Sequence, residues 1–126
     1  MPLLDTLLAP RIMRPLFWLL AAFTLVMALL PKPPALPIDR FGDKFEHMLA
    51  FGVLTVVALL GWPRLRFWTI AWRLSLFGAA IEVLQAIPVL HRDSDWRDWV
   101  ADTLAVLIAW GVASLVFRAL RIERAA

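Results

Sequence analysis

The sequence predicts an all-α membrane protein: a bundle of four transmembrane helices with both termini cytoplasmic. Three observations carry that prediction. First, the chain of 126 residues is 62% hydrophobic and 18% charged, where soluble domains carry about 25% charged residues; its mean hydropathy is +0.76. Second, four apolar runs, Pro15–Leu30, His47–Trp62, Phe67–Leu90 and Trp99–Phe117, approach the roughly 20 residues that a hydrocarbon core of about 30 Å requires. Third, segments such as FGVLTVVALLGW and LAVLIAWGVASLVF show no polar stripe, which a soluble bundle would need on its outer face.

The elements follow in order. Pro15 suits a first helical turn, where a missing N–H costs nothing, and Pro31, Pro33 and Pro34 stop the first helix. Arg11 and Arg14 precede this run like the start of a signal peptide, but no small-residue cleavage pattern follows, so the segment reads as a retained helix. The connector PKPPALPIDRFG should run extended, because each proline biases its predecessor away from the α region. Helix two opens near Gly42–Asp43, with Asp43 as its cap, and ends at GWPRLR. Helix three runs from Phe67 to before Pro88. After a short loop, Ser94 or Asp95 caps helix four, whose tail FRALRIERAA leaves the membrane. The whole chain, 1–126, reads as one domain.

Lysine and arginine in short loops favour the cytoplasm. Arg11, Arg14, Arg64, Arg66, Arg73, Arg118, Arg121 and Arg124 fall on one side, and Lys32, Arg40, Lys44, Arg92 and Arg97 on the other. The larger set places both termini in the cytoplasm. Trp62, Trp68 and Trp72 would belt one interface, and Trp96 and Trp99 the other. The scattered arginines form no run that could follow a phosphate backbone, which excludes nucleic acid as a partner. The chain has no cysteine, so it has neither disulfides nor thiolate metal sites.

With this topology three polar clusters meet at the extracytoplasmic face. Asp43, Lys44, Glu46 and His47 open helix two, Glu82 and Gln85 close helix three, and Arg92, Asp95, Asp98 and Asp102 surround the start of helix four. Asp43 and His47, Glu82 and Gln85, and Asp98 and Asp102 are each three or four residues apart, so each pair shares one helix face. Inward-facing pairs would make a polar pocket at the rim. Asp39, Arg40, Glu46, Asp93 and Arg97 read as solvated or interfacial.

The stretches DKFEHMLAF, IEVLQ and RDSDWRDWVAD resemble the VanZ-like family of bacterial membrane proteins. Asp43, Lys44, His47, Phe51, Glu82, Gln85, Arg92, Asp95 and Asp98 match that family's pattern in order, over roughly 43–109. Two positions depart from it: Asp102 stands where the family usually has asparagine, and Ala105 where it usually has glycine. The resemblance implies a multi-pass protein of the bacterial cytoplasmic membrane, linked to envelope function or glycopeptide tolerance. It supplies a fold and a site more than a reaction.

Three readings of the cluster stand side by side. In the first, Arg92 and Lys44 bind the phosphate of an anionic lipid or cell-envelope precursor, while Glu82, Gln85, His47 and Asp98 fix its orientation. In the second, a membrane-interface hydrolase or transferase uses His47 as general base, oriented by Asp43 or Asp98, with Glu82 as acid or metal ligand. In the third, the network is structural and Glu82 pairs with Arg92 or Lys44. No cofactor is expected. A divalent metal on His47, Glu82, Asp98 and Asp102 is the lesser alternative. Ionisable groups gathered at one face argue against a transporter or channel. Oligomeric state is not legible.

Overall fold

A computed structural model describes residues 2–31, 35–92 and 94–122, apart from the side chains of Ile38 and Asp43. Lys32 and Arg124, which entered the charge count, and Asp93, read as solvated, lie outside the described residues. The described residues form five α-helices and two short 3-10 turns: α1 Pro2–Leu7, α2 Pro10–Leu29, α3 Asp43–Gly61, α4 Phe67–Gln85 and α5 Trp96–Ala119, with turns at Pro37–Phe41 and Pro88–Leu90. Four of them, α2 to α5, are long and apolar enough to cross a membrane. The all-α, four-span reading therefore holds, and the protein is a multi-pass membrane protein.

Three local expectations are corrected. The first spanning helix begins at Pro10 rather than Pro15, and Pro15 lies inside it. Pro10 fills the position where the lost N–H is harmless. Arg11 and Arg14 are helical as well, because long basic side chains reach the interface while their backbone continues. The connector is not extended throughout, since Pro37–Phe41 winds into a 3-10 turn. There Asp39 Oδ2 accepts the Leu36 N–H at 2.7 Å. Finally, the residue capping α3 is Gly42, at φ 94°. That left-handed backbone redirects the chain from turn to helix, and Asp43 becomes the first helical residue. Asp95 caps α5 as expected, its carboxylate accepting the Arg97 N–H at 2.9 Å.

The helix α3 is central, packed against α2, α4 and α5. Its buried residues Phe51, Leu54, Ala58 and Leu59 meet Ile70, Leu74 and Ile81 of α4 and Ala105, Val106 and Ala113 of α5. The Thr55 hydroxyl is satisfied within its own helix by the Phe51 carbonyl at 2.7 Å. By contrast, α2 buries only Met13 and Ala28. Contacts at its two ends fasten it to the rest. At one end Arg14 Nε donates to the Gly61 carbonyl at 2.7 Å, satisfying an acceptor that the end of α3 leaves open. At the other, Gln85 Nε2 donates to the Ala28 carbonyl at 2.9 Å.

Aromatic rings mark the two ends of the bundle. Phe17, Trp18 and Trp62 pack edge to face, and Phe67 stacks on Trp110 with centroids 4.3 Å apart. Trp96 and Trp99 stand exposed at the opposite end. That opposite end is also where α3 starts, α4 finishes and α5 starts, so helix order alone delivers the polar residues to one place.

Candidate functional site

Each buried carboxylate at this end owes its position to a helix end. Asp98 lies in the first turn of α5 and Asp102 one turn deeper, where the N-terminal dipole favours negative charge. Both are buried, Asp98 at 4% exposure and Asp102 at 0%. His47 lies one turn into α3 with its ring between them: Nδ1 is 3.2 Å from Asp102 Oδ1, and Nε2 is 4.0 Å from Asp98 Oδ2. Lys44, one turn earlier, reaches over the edge. Its Nζ lies 3.1 Å from Asp98 Oδ1 and 3.5 Å from Asp95 Oδ2.

Glu82 approaches from α4. It is 7% exposed, and its Oε2 accepts the Asp95 N–H at 3.0 Å. The Ser94 hydroxyl lies 3.4 Å from the same oxygen and donates to the Glu82 backbone carbonyl at 2.8 Å. The loop thus folds back over α4 and offers backbone and hydroxyl donors. An ion pair of Glu82 with Arg92 or Lys44 does not form: Arg92 Nη1 instead donates to the Leu30 carbonyl at 3.2 Å, and Lys44 is held by Asp98. Glu82 Oε1 and Gln85 Oε1 are buried without a hydrogen-bond partner among the described residues.

The residues expected in one pocket divide into two groups. His47, Glu82, Asp98 and Asp102 converge, with Lys44 and Asp95 at the rim. Gln85 is buried but turns its amide toward α2. Arg92 lies beside the end of α2 and lines a separate cavity that His47 also lines. The side chain of Asp43 lies outside the described residues. As for the orienting carboxylate of His47, Asp98 stands 4.0 Å away and Asp102 is the nearer, at 3.2 Å.

Four residues take roles that the sequence reading did not give them. Gly78 in α4 leaves room for Asp102: a Cβ there would stand 3.0 Å from Asp102 Oδ2. Ser94 supplies the hydroxyl that covers Glu82. Asp39 and Glu46, expected to be solvated, both line the cavity between α2 and α3. A hydrogen bond from Glu46, joined by the Leu36 N–H, holds the Asp39 carboxyl below the usual carboxylate range. Similarly the Arg97 N–H, helped by Lys44, keeps Asp95 low. A spacing rule for glycine or serine would not have found them, because each role depends on which helix lies opposite.

No family model, curated protein or solved structure matches this chain. The geometry therefore carries the functional reading.

Two physical properties stand out. Three buried carboxylates, Glu82, Asp98 and Asp102, face the Lys44 ammonium and the His47 imidazole. An ionised side chain deep in a bilayer costs about 2.5–3.5 kcal/mol on insertion scales, so this much negative charge needs a compensating partner. Alongside lies a cavity of about 570 Å³ between α2 and α3. Leu20, Phe23, Met27 and Val53 form its apolar walls, and Asp39, Glu46, His47 and Arg92 its polar end.

Proposed function

We propose that this protein binds an amphiphile with a phosphate-bearing headgroup, an anionic lipid or a lipid-linked envelope precursor, at its extracytoplasmic face. The observation that carries the reading is the cavity between α2 and α3, apolar along its length and polar at one end. Its volume falls within the range of small-molecule sites. The apolar walls suit an acyl or isoprenoid chain. The Arg92 guanidinium suits phosphate, which it can grip with two parallel hydrogen bonds. Asp39 and Glu46 would take hydroxyl or ammonium groups of the same headgroup. The VanZ-like resemblance, a bacterial cytoplasmic membrane, cytoplasmic termini and a part in envelope or glycopeptide tolerance belong to the same proposal.

The test is native mass spectrometry of protein taken from nanodiscs containing either phosphatidylglycerol or phosphatidylcholine. The anionic lipid should be retained by the wild type and lost by Arg92→Ala. Equal retention of both lipids, or unchanged retention in the variant, overturns the reading.

A second reading rests on the pairing of His47 with Asp102. An imidazole oriented by a buried carboxylate is the arrangement of a general base, so an interfacial hydrolase or transferase is the alternative. Headgroup turnover by reconstituted wild type, abolished in His47→Gln, would favour it over simple binding.

A further inference from the structure

We propose that His47, Glu82 and Asp102 hold a divalent transition-metal cation. One ligand atom from each of the three lies within 4.8 Å of the other two. Ligand atoms around an ion at bond lengths of about 2.0–2.2 Å stand some 3–4 Å apart, so modest side-chain rotation closes the set. The residues come from three different helices, α3, α4 and α5, and an ion here would tie them together.

Two independent observations point to a cation rather than to a merely acidic corner. The first is an orphaned atom: Glu82 is 7% exposed, and its Oε1 is buried without a hydrogen-bond partner among the described residues. Its other oxygen is already engaged by the Asp95 N–H, so the carboxyl is anchored by one oxygen while the other awaits a partner. The second is charge. Glu82, Asp98 and Asp102 as carboxylates, with Asp95 at the rim, outnumber the one Lys44 ammonium by three charges, and a divalent ion would offset two of them. The imidazole favours a zinc-like ion over magnesium or calcium, which prefer all-oxygen shells. Asp98 Oδ2, 4.0 Å from His47 Nε2, is placed to orient the ring, as outer carboxylates do for metal-bound histidines. Three protein ligands leave a coordination position open, and His47 also lines the cavity between α2 and α3.

The cation site is independent of headgroup binding, because the probe is the metal alone. Protein stripped with chelator is titrated with Zn²⁺, and separately with Mg²⁺, in chelator-free detergent, and bound metal is counted after gel filtration. Expected is one Zn²⁺ per chain with no competing Mg²⁺. Affinity should fall about 100-fold in Glu82→Gln and in Asp102→Asn, and about tenfold in Asp98→Asn. His91→Ala, which alters the exposed loop histidine, should bind as the wild type does. Wild type that takes up no stoichiometric Zn²⁺, or binding that survives in both Glu82→Gln and Asp102→Asn, overturns the proposal and leaves protons as the neutralising charge. Should those variants misfold, carbethoxylation of the wild type decides: Zn²⁺ must shield His47 while His91 stays reactive, and equal labelling of both overturns the site.

Discussion

Gly78 of α4 and Asp102 of α5 meet closely: a Cβ at position 78 would stand 3.0 Å from Asp102 Oδ2 and 3.4 Å from Phe51 Cζ, so its neighbours would have to give by a few tenths of an ångström. The small residue here is a packing requirement of the carboxylate opposite it.

Two glycine substitutions separate packing from backbone effects. Alanine in a helix interior gains about 1 kcal/mol over glycine. At Gly111, where nothing lies within 4 Å of the added Cβ, that gain should appear as a modest rise in thermal midpoint. At Gly78 overpacking costs about 1–3 kcal/mol. Asp102 is fully buried and meets His47, so it yields poorly and the cost should outweigh the gain. Gly78→Ala should therefore lower the midpoint in the same detergent in which Gly111→Ala raises it.

Gln85 fastens α2 to the bundle through the Ala28 carbonyl. Gln85→Leu keeps the volume but strands that acceptor, at a cost of about 1–3 kcal/mol. The chain has no cysteine, so a spin-label pair can be placed on α2 and α4 without background. The interhelix distance distribution should broaden in Gln85→Leu and stay narrow in the wild type.

Lys44 and Asp98 form a pair in which one partner is exposed and the other buried, with side-chain exposures of 54% and 6%. Removing the ammonium alone leaves a buried charge short of its partner, and removing both leaves none. Lys44→Met should therefore destabilise more than Lys44→Met combined with Asp98→Asn. A double-mutant cycle by thermal unfolding checks the sign.

Asp95 gives a pH dependence whose direction is fixed. Its carboxyl is held low in the folded protein by the Arg97 N–H and Lys44, so its contribution is complete above the unfolded value of about 3.9. That contribution disappears as pH falls through the lower folded value. Between neutrality and pH of about 5 this group should change nothing. In stronger acid the wild type should lose more of its midpoint than Asp95→Asn, which keeps a capping oxygen without the charge.

The four spans were legible because length and apolarity are properties of single segments. The gathering of polar residues at one end was legible too, since alternating helix direction brings the start of α3, the end of α4 and the start of α5 together. What stayed hidden depended on partners. Pro15 looked like a helix start until Pro10 took that position. The structural reading paired Glu82 with Arg92 or Lys44, because charge suggests charge, yet the loop returned the Asp95 N–H to it instead. Gly78 carries no signal until the register of α5 places Asp102 against it.

The clasp of Glu82 by Ser94 and Asp95 also bears on how the protein is assembled. Its donors arrive with the next dozen residues of chain, inside the same helical hairpin, so that carboxylate is sheltered as soon as α4 and α5 enter the bilayer together. Asp102, in contrast, meets His47 across a separation of 55 residues, on a helix synthesised earlier. The last spanning helix is therefore the keystone of the polar cluster. A nascent chain halted before it would leave His47 facing hydrocarbon without its carboxylate, an exposure that favours retrieval by α5 over escape into lipid.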